Sequence, residues 1–300
     1  MAQHRREFFG FTYPEAVRSK YTLGNTKAPK GVIVLSAHDV SGATAGGVPV
    51  VRVGTNPTPT IEYDYYGFPD RGLVYTVKYP VHGPDVTIAS EVVTELESKL
   101  GKLLAEPGTK ARPMKIETNP KSKFDHGVFI PMLYLMPVKE SNHRDADLID
   151  ADDTRMSAAD LPPVITISSF HSQNAADHIQ LGKMISGLRD MGYLVLGSGA
   201  TAHVMDIWTV EDPERGAGLA FNTALSKTLT TPDIPTAVKE EFMLNFLSIE
   251  GANEAQRKGQ TDHFMPWLTC FGVGIGSGSS FAKEIANVPM GTWHQVHHLW

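Results

Sequence analysis

The segment Gly31-Val32-Ile33-Val34-Leu35-Ser36-Ala37-His38 decides how this chain is read. From Val32 to Leu35 the residues are apolar and mostly β-branched, with no polar alternation. That is the pattern of a strand covered on both faces, as in parallel sheets flanked by helices. The run stops at an imidazole. Two segments repeat the pattern: Pro163 to Ser168, and Tyr193 to Leu196 running into Gly197-Ser198-Gly199. Around them lie stretches of helical period. Over Val86 to Leu104, the residues Ile88, Val92, Val93, Leu96, Leu100 and Leu103 fall near one stripe, with Glu and Lys between them. Ala175 to Met191 reads as a helix closed by Gly192. Ala217 to Thr230 and Ala237 to Leu247 read as two more, with Pro232 and Pro235 breaking the chain between them. Phe124 to Met136 reads as a short buried helix, and Glu62 to Pro80 as a structured loop. Strands alternating with helices predict an α/β fold: a mostly parallel central sheet flanked by helices, in a single domain over residues 1–300.

Composition narrows the function. The chain has 41% hydrophobic and 20% charged residues and a formal charge of −6. Its Lys and Arg residues form no run, which argues against a nucleic-acid partner. No apolar stretch approaches the roughly 18 residues of a membrane span, so no membrane partner is expected. The lone Cys270 fits a reducing compartment, and the expected location is cytoplasmic. Glu140 to Asp160 is acidic and is expected to form an exposed loop, without the Gly and Glu positions of a calcium loop. Twelve histidines stand against one cysteine, so a metal site here must be built from imidazole and carboxylate.

His38 follows the first strand directly, and His203 follows the strand Tyr193–Leu196 through a Gly-rich turn. In an open α/β sheet, ligands collect at the carboxyl ends of strands, so both side chains could reach one crevice. His263, in Thr261-Asp262-His263-Phe264-Met265-Pro266, and His126, in Phe124-Asp125-His126-Gly127, are further candidates. A single histidine near a strand end is more often a hydrogen-bonded structural residue than a ligand, and no His-Glu-x-x-His or Cys-x-x-Cys pair is present. His171, after Ser168-Ser169-Phe170, is a candidate cavity residue. His82 is expected in an exposed turn, His178 on a solvent-facing helix surface, and His294, His297 and His298 in a tail. Tyr63, Tyr65 and Tyr66 are expected to pack rather than stack on a ligand. Gly272 to Ser279 invites a phosphate-loop reading but lacks the Lys-Ser/Thr ending, and a flexible loop is expected.

The order of the motifs resembles the 4,5-DOPA dioxygenase family of class III extradiol ring-cleavage dioxygenases. The matching segments are Val34 to His38, Tyr63-Asp64-Tyr65-Tyr66-Gly67-Phe68-Pro69, Lys78-Tyr79-Pro80, Asp125 to Met132, Gly197-Ser198-Gly199 through His203, and Asp262 to Pro266. They cover most of the chain from about Lys27 to Gly274. The resemblance implies a divalent metal, Fe(II) for dioxygenase chemistry or Zn(II), and a catechol-type aromatic substrate opened with O₂. It makes His38 and His263 metal ligands, and His203 either a further ligand or an acid/base beside the metal. His126 becomes the active-site histidine placed to hydrogen-bond substrate or O₂. The chemistry is coherent: neutral imidazoles suit a borderline divalent ion, and a histidine titrating near neutrality can take a catechol proton and later return one.

The sequence departs from the family in two places. Asp39 follows His38 where the family usually has an aromatic residue. The family's opening strand ending in His-Gly has no counterpart ahead of His38, because His4 has no Gly after it and no strand can precede it. A metal site short of one ligand, with weaker binding and slow turnover, is therefore expected. The alternatives are a catalytically silent metal- or ligand-binding homologue and, ranked below it, a zinc hydrolase using the same crevice.

Overall fold

Every residue of the strand Val32–Ser36 is fully shielded from solvent. In the computed structural model, residues 29–62, 79–136, 157–203, 218–256, 260–290 and 293–300 are described. Along them run β1 (Val32–Ser36), β2 (Val40–Ser41), β3 (Val50–Gly54), α1 (Val86–Ala105), β4 (Lys115–Asn119), α2 (His126–Leu135), β5 (Val164–Thr166) and β6 (Ser169–Phe170). There follow α3 (Ala175–Asp190), β7 (Leu194–Ser198), α4 (Leu219–Thr230), α5 (Thr236–Leu244), α6 (Ala252–Ala255), α7 (Met265–Gly276), β8 (Lys283–Met290) and β9 (Trp293–Leu299).

β1 is the middle strand of a parallel sheet ordered β5-β1-β7, with Val32 opposite both Val164 and Leu194. Side chains alternate across a strand, so its two faces serve two cores. Ile33 and Leu35 pack with Val92 and Leu96 of α1 and Leu181, Met184 and Ile185 of α3. Val32 and Val34 pack on the opposite side with Phe124 and with Val128, Met132 and Leu133 of α2. A third cluster, built on α4, α7 and the residues around them, holds Phe221, Leu225, Phe264, Leu268 and Phe271. The result is a single-domain α/β fold of parallel strands between helices, as the apolar runs and helical stripes predict.

The sheet is interrupted just beyond β1. β2 pairs with β6 as β1 pairs with β5, both in parallel, so the same two segments meet twice. Between Val34↔Thr166 and Val40↔Ser169 stand Leu35 to Asp39 on one segment, against only Ile167 and Ser168 on the other. The surplus on the first segment leaves His38 outside the ladder, as strand irregularities commonly re-aim a side chain.

Three readings of the sequence are corrected. His178 does not face solvent: it is fully buried, its Nε2 lies 3.1 Å from the Phe170 N–H and its Nδ1 2.8 Å from the Asn174 carbonyl. The reason is that α3 is buried on nearly every side from Asp177 to Leu188, so polar residues there cannot be taken as marking an outer face. Gly272 to Ser279 is not a flexible loop, since α7 continues to Gly276; a Cβ on Gly272 would lie 2.3 Å from the Ile179 carbonyl oxygen, so these glycines allow α7 to lie against α3. His82 is half-buried and bonded to the Leu161 carbonyl at 2.6 Å. The sequence reading also lacks the antiparallel β8–β9 hairpin, which carries His294, His297 and His298. The amino-terminal residues with His4, the Tyr-Gly-Phe-Pro motif with Tyr63, Tyr65 and Tyr66, and the acidic loop up to Met156 lie outside the described residues. Among the described residues, no helix is long and apolar enough to cross a membrane.

Candidate metal centre

Three chain segments converge at the carboxyl end of β1. The first carries His38, whose backbone N–H donates to Ser36 Oγ at 3.1 Å. The same hydroxyl donates to Asp125 Oδ1 at 2.8 Å, and Gly127 N–H donates to that oxygen at 2.6 Å. Asp125 is thus the N-cap of α2, which makes His126 the first residue of the helix. The third segment is a 3₁₀ turn, Asp262–Phe264, leading into α7. It rests against the end of β7, where Ala200 N–H donates to the His263 carbonyl at 2.8 Å. Gly199 permits that approach: a Cβ there would lie 2.0 Å from His263 O, a distance no side chain can occupy.

These anchors bring the four predicted histidines together. His38 Nε2 and His263 Nε2 are 3.2 Å apart. The His126 ring lies 4.2 Å from the His38 ring, and the His203 ring stacks on His263 at 3.6 Å and 10°. His171 lies farther out and lines, with His38, Phe170, Gln173, Asp262 and Met265, a cavity of about 260 Å³.

Two carboxylates that the sequence reading passed over complete the arrangement. Asp125 Oδ1 lies 3.6 Å from His38 Nδ1, and Asp262 Oδ2 lies 3.2 Å from His263 Nδ1. Burial works against the Asp125 carboxylate, but His38, Ser36 and the Gly127 N–H outweigh it and hold its pKa below the ordinary 3.8. Hydrogen bonding to His263 does the same for Asp262 against the cost of its burial. Their signal was visible: each Asp directly precedes a site histidine. Asp39, by contrast, is pushed up to about 6 by burial, which Arg52 beside it only partly offsets. His203 is pushed down to about 4 by burial and then by His263, with Asp262 opposing and His38 adding.

The residues fit a divalent ion. A carboxylate facing each Nδ1 favours the proton there, which turns a lone pair on each Nε2 toward the other. Two lone pairs 3.2 Å apart repel unless a proton or a cation lies between them. Two metal–nitrogen bonds of about 2.0–2.1 Å span such a gap at an angle of roughly 100°, between octahedral and tetrahedral values. His38, Asp125 and His126 form one group of donors lying within 4.8 Å of one another, and His203, Asp262 and His263 form a second.

An α/β sheet with imidazoles and carboxylates gathered at its strand ends is an arrangement that could hold a metal ion. The chain belongs to the family of the catalytic LigB subunit of aromatic ring-opening dioxygenases, which matches residues 19–296. The dioxygenase tasH of Hapsidospora irregularis is 26% identical over 256 residues, which are 82% of this chain and 65% of that one. The 4,5-DOPA dioxygenase extradiol of Beta vulgaris is 29% identical over 178 residues, 59% of this chain and 50% of that one. The enzyme of that name from Escherichia coli strain K12 is 25% identical over 263 residues, 86% of this chain and 78% of that one. The chain therefore spans about two thirds of the first of these relatives and half of the second. A crystal structure of an uncharacterized protein from Escherichia coli K12 shares the fold, with a TM-score of 0.57 and 21% identity over 93% of this chain and 90% of that one.

Proposed function

We propose that the chain is an extradiol dioxygenase that opens the ring of a catechol-type substrate with O₂ at a divalent metal, Fe(II) in the working enzyme. The observation that carries this reading is the 3.2 Å approach of His38 Nε2 to His263 Nε2, each ring backed by a carboxylate at Nδ1. In it, His38 and His263 hold the ion. When bound, the ion lowers the pKa of the substrate hydroxyls and couples the ring electronically to O₂.

His203 serves as acid and base rather than as a ligand. An imidazole binds an ion in its own ring plane, and the planes of His203 and His263 run nearly parallel, 10° apart, so their lone pairs do not converge. Burial, with His263 beside it, pushes the pKa of His203 down to about 4, so it is neutral at pH 7, the form a general base needs, though weakly basic. In this reading His126, tilted against His38 at the start of α2, is the group that hydrogen-bonds a substrate oxygen. The adjoining cavity of about 260 Å³ is smaller than the roughly 300–1,000 Å³ of drug-sized sites and suits a single aromatic ring.

The test is to load the purified chain anaerobically with Fe(II), then admit oxygen in the presence of a panel of catechols. A yellow ring-opened product with matching oxygen uptake is expected. Tight metal binding with no oxygen uptake for any catechol would instead favour a catalytically silent, metal-binding member of the family.

A further inference from the structure

The turn joining β6 to α3 holds the one non-glycine residue with positive φ among the described residues, Gln173 at 51°. A side chain is rarely tolerated there, and glycine would sit without strain. Such an outlier calls for something that only the side chain supplies.

Gln173 Oε1 accepts two hydrogen bonds from one residue far away in sequence, from Thr261 N at 2.9 Å and from Thr261 Oγ1 at 2.5 Å. Thr261 opens the turn that carries Asp262 and His263, and its carbonyl accepts from Phe264 N at 3.0 Å. That turn has no side-chain cap of its own. Its grip on β7 is the Ala200–His263 bond, and Gln173 grips it from the other side. The Gln173 end is firmly held: its N–H donates to Phe170 O at 3.1 Å, and Phe170 N–H is bonded in turn to buried His178. Asn174, the next residue, caps α3 through a bond from Asp177 N–H at 3.2 Å.

We propose that Gln173 is a positioning residue for His263: its amide fixes the turn Asp262–Phe264 so that His263 Nε2 meets His38 Nε2 at metal-sharing distance. The proposal rests on the reading of His263 as a metal ligand, and the experiment separates the two. Cobalt(II) is titrated into the metal-free chain and followed by its visible d–d absorption, for the native chain, Gln173→Gly, Gln173→Asn, Gln173→Glu and His263→Ala. Gln173→Gly relieves the backbone strain but leaves Thr261 N–H and Oγ1 without their acceptor, so its metal-free melting temperature should stay within a few degrees of the native value. Its cobalt affinity should fall about 10-fold or more, within the ~10–100-fold range for loss of a partner behind a ligand. Gln173→Asn, which tolerates this backbone but is too short to reach Thr261, should lose as much, and stands in if the glycine variant fails to fold. Gln173→Glu keeps an oxygen that accepts both bonds and should bind cobalt within about threefold of the native chain. Native-like affinity in the glycine and asparagine variants, with binding lost in His263→Ala, overturns the proposal alone. Equal losses in the glutamate and glycine variants overturn it as well, because the contact would then not be the cause. Unchanged cobalt binding in His263→Ala overturns the ligand reading and the proposal with it.

Discussion

The histidines divide by what faces their nitrogens. His38 and His263 have carboxylates at Nδ1 and each other at Nε2, an arrangement that a proton or a cation in the gap would complete. His178 has backbone groups at both nitrogens, with the Phe170 N–H requiring a lone pair on Nε2. A second proton has no place there, and burial pushes its pKa from 6.5 down to about 4. Since the unfolded chain binds the proton first, the contribution of His178 to stability is complete above pH 6.5 and is lost as the pH falls to about 4. The shift corresponds to up to about 3 kcal/mol at ~1.4 kcal/mol per unit. Urea unfolding from pH 7 to pH 4 should therefore lose stability more steeply in the native chain than in His178→Gln. Parallel profiles for the two would show that His178 is protonated in the folded state.

At the scale of elements, the site depends on close packing of a turn against a strand end. Gly197 and Gly199 at the end of β7 let the segment from His263 to Pro266 approach at backbone distance. In Gly199→Ala the clash is with the His263 carbonyl, which no rotamer change can relieve, so the turn itself must move. The expected outcome is a loss of about 1–3 kcal/mol in stability, together with weaker zinc binding by calorimetry. Native zinc affinity in that variant would mean that the turn is not held by this contact. Elements with strong periodicity were legible in the sequence: β1, α1 and α3 lie within a residue or two of where their apolar patterns place them. The short strands β2 and β6 were not, being two residues each. β4 reads Lys-Ile-Glu-Thr-Asn, with no apolar run to mark it. α7 was misread beyond Phe271 because its glycines, which read as a loop in the sequence, are what allow it to lie against α3.

At the scale of the whole molecule, two segments separated by more than two hundred residues meet because β1 is central and β7 runs parallel beside it. Strand-end placement was enough to draw His38 and His203 toward one crevice from sequence, and motif order added His126 and His263. Asp125 and Asp262 show in the sequence only as residues preceding site histidines; their roles, and that of Gln173 on Thr261, depend on which ring nitrogen or backbone group each faces. The central claim is that His38 and His263 share one metal ion, and crystals of zinc-loaded protein measured at the zinc absorption edge test it most directly. The account predicts one anomalous peak within about 2.0–2.1 Å of both His38 Nε2 and His263 Nε2. A zinc peak elsewhere, with these two nitrogens bonded to no common ion, would contradict it.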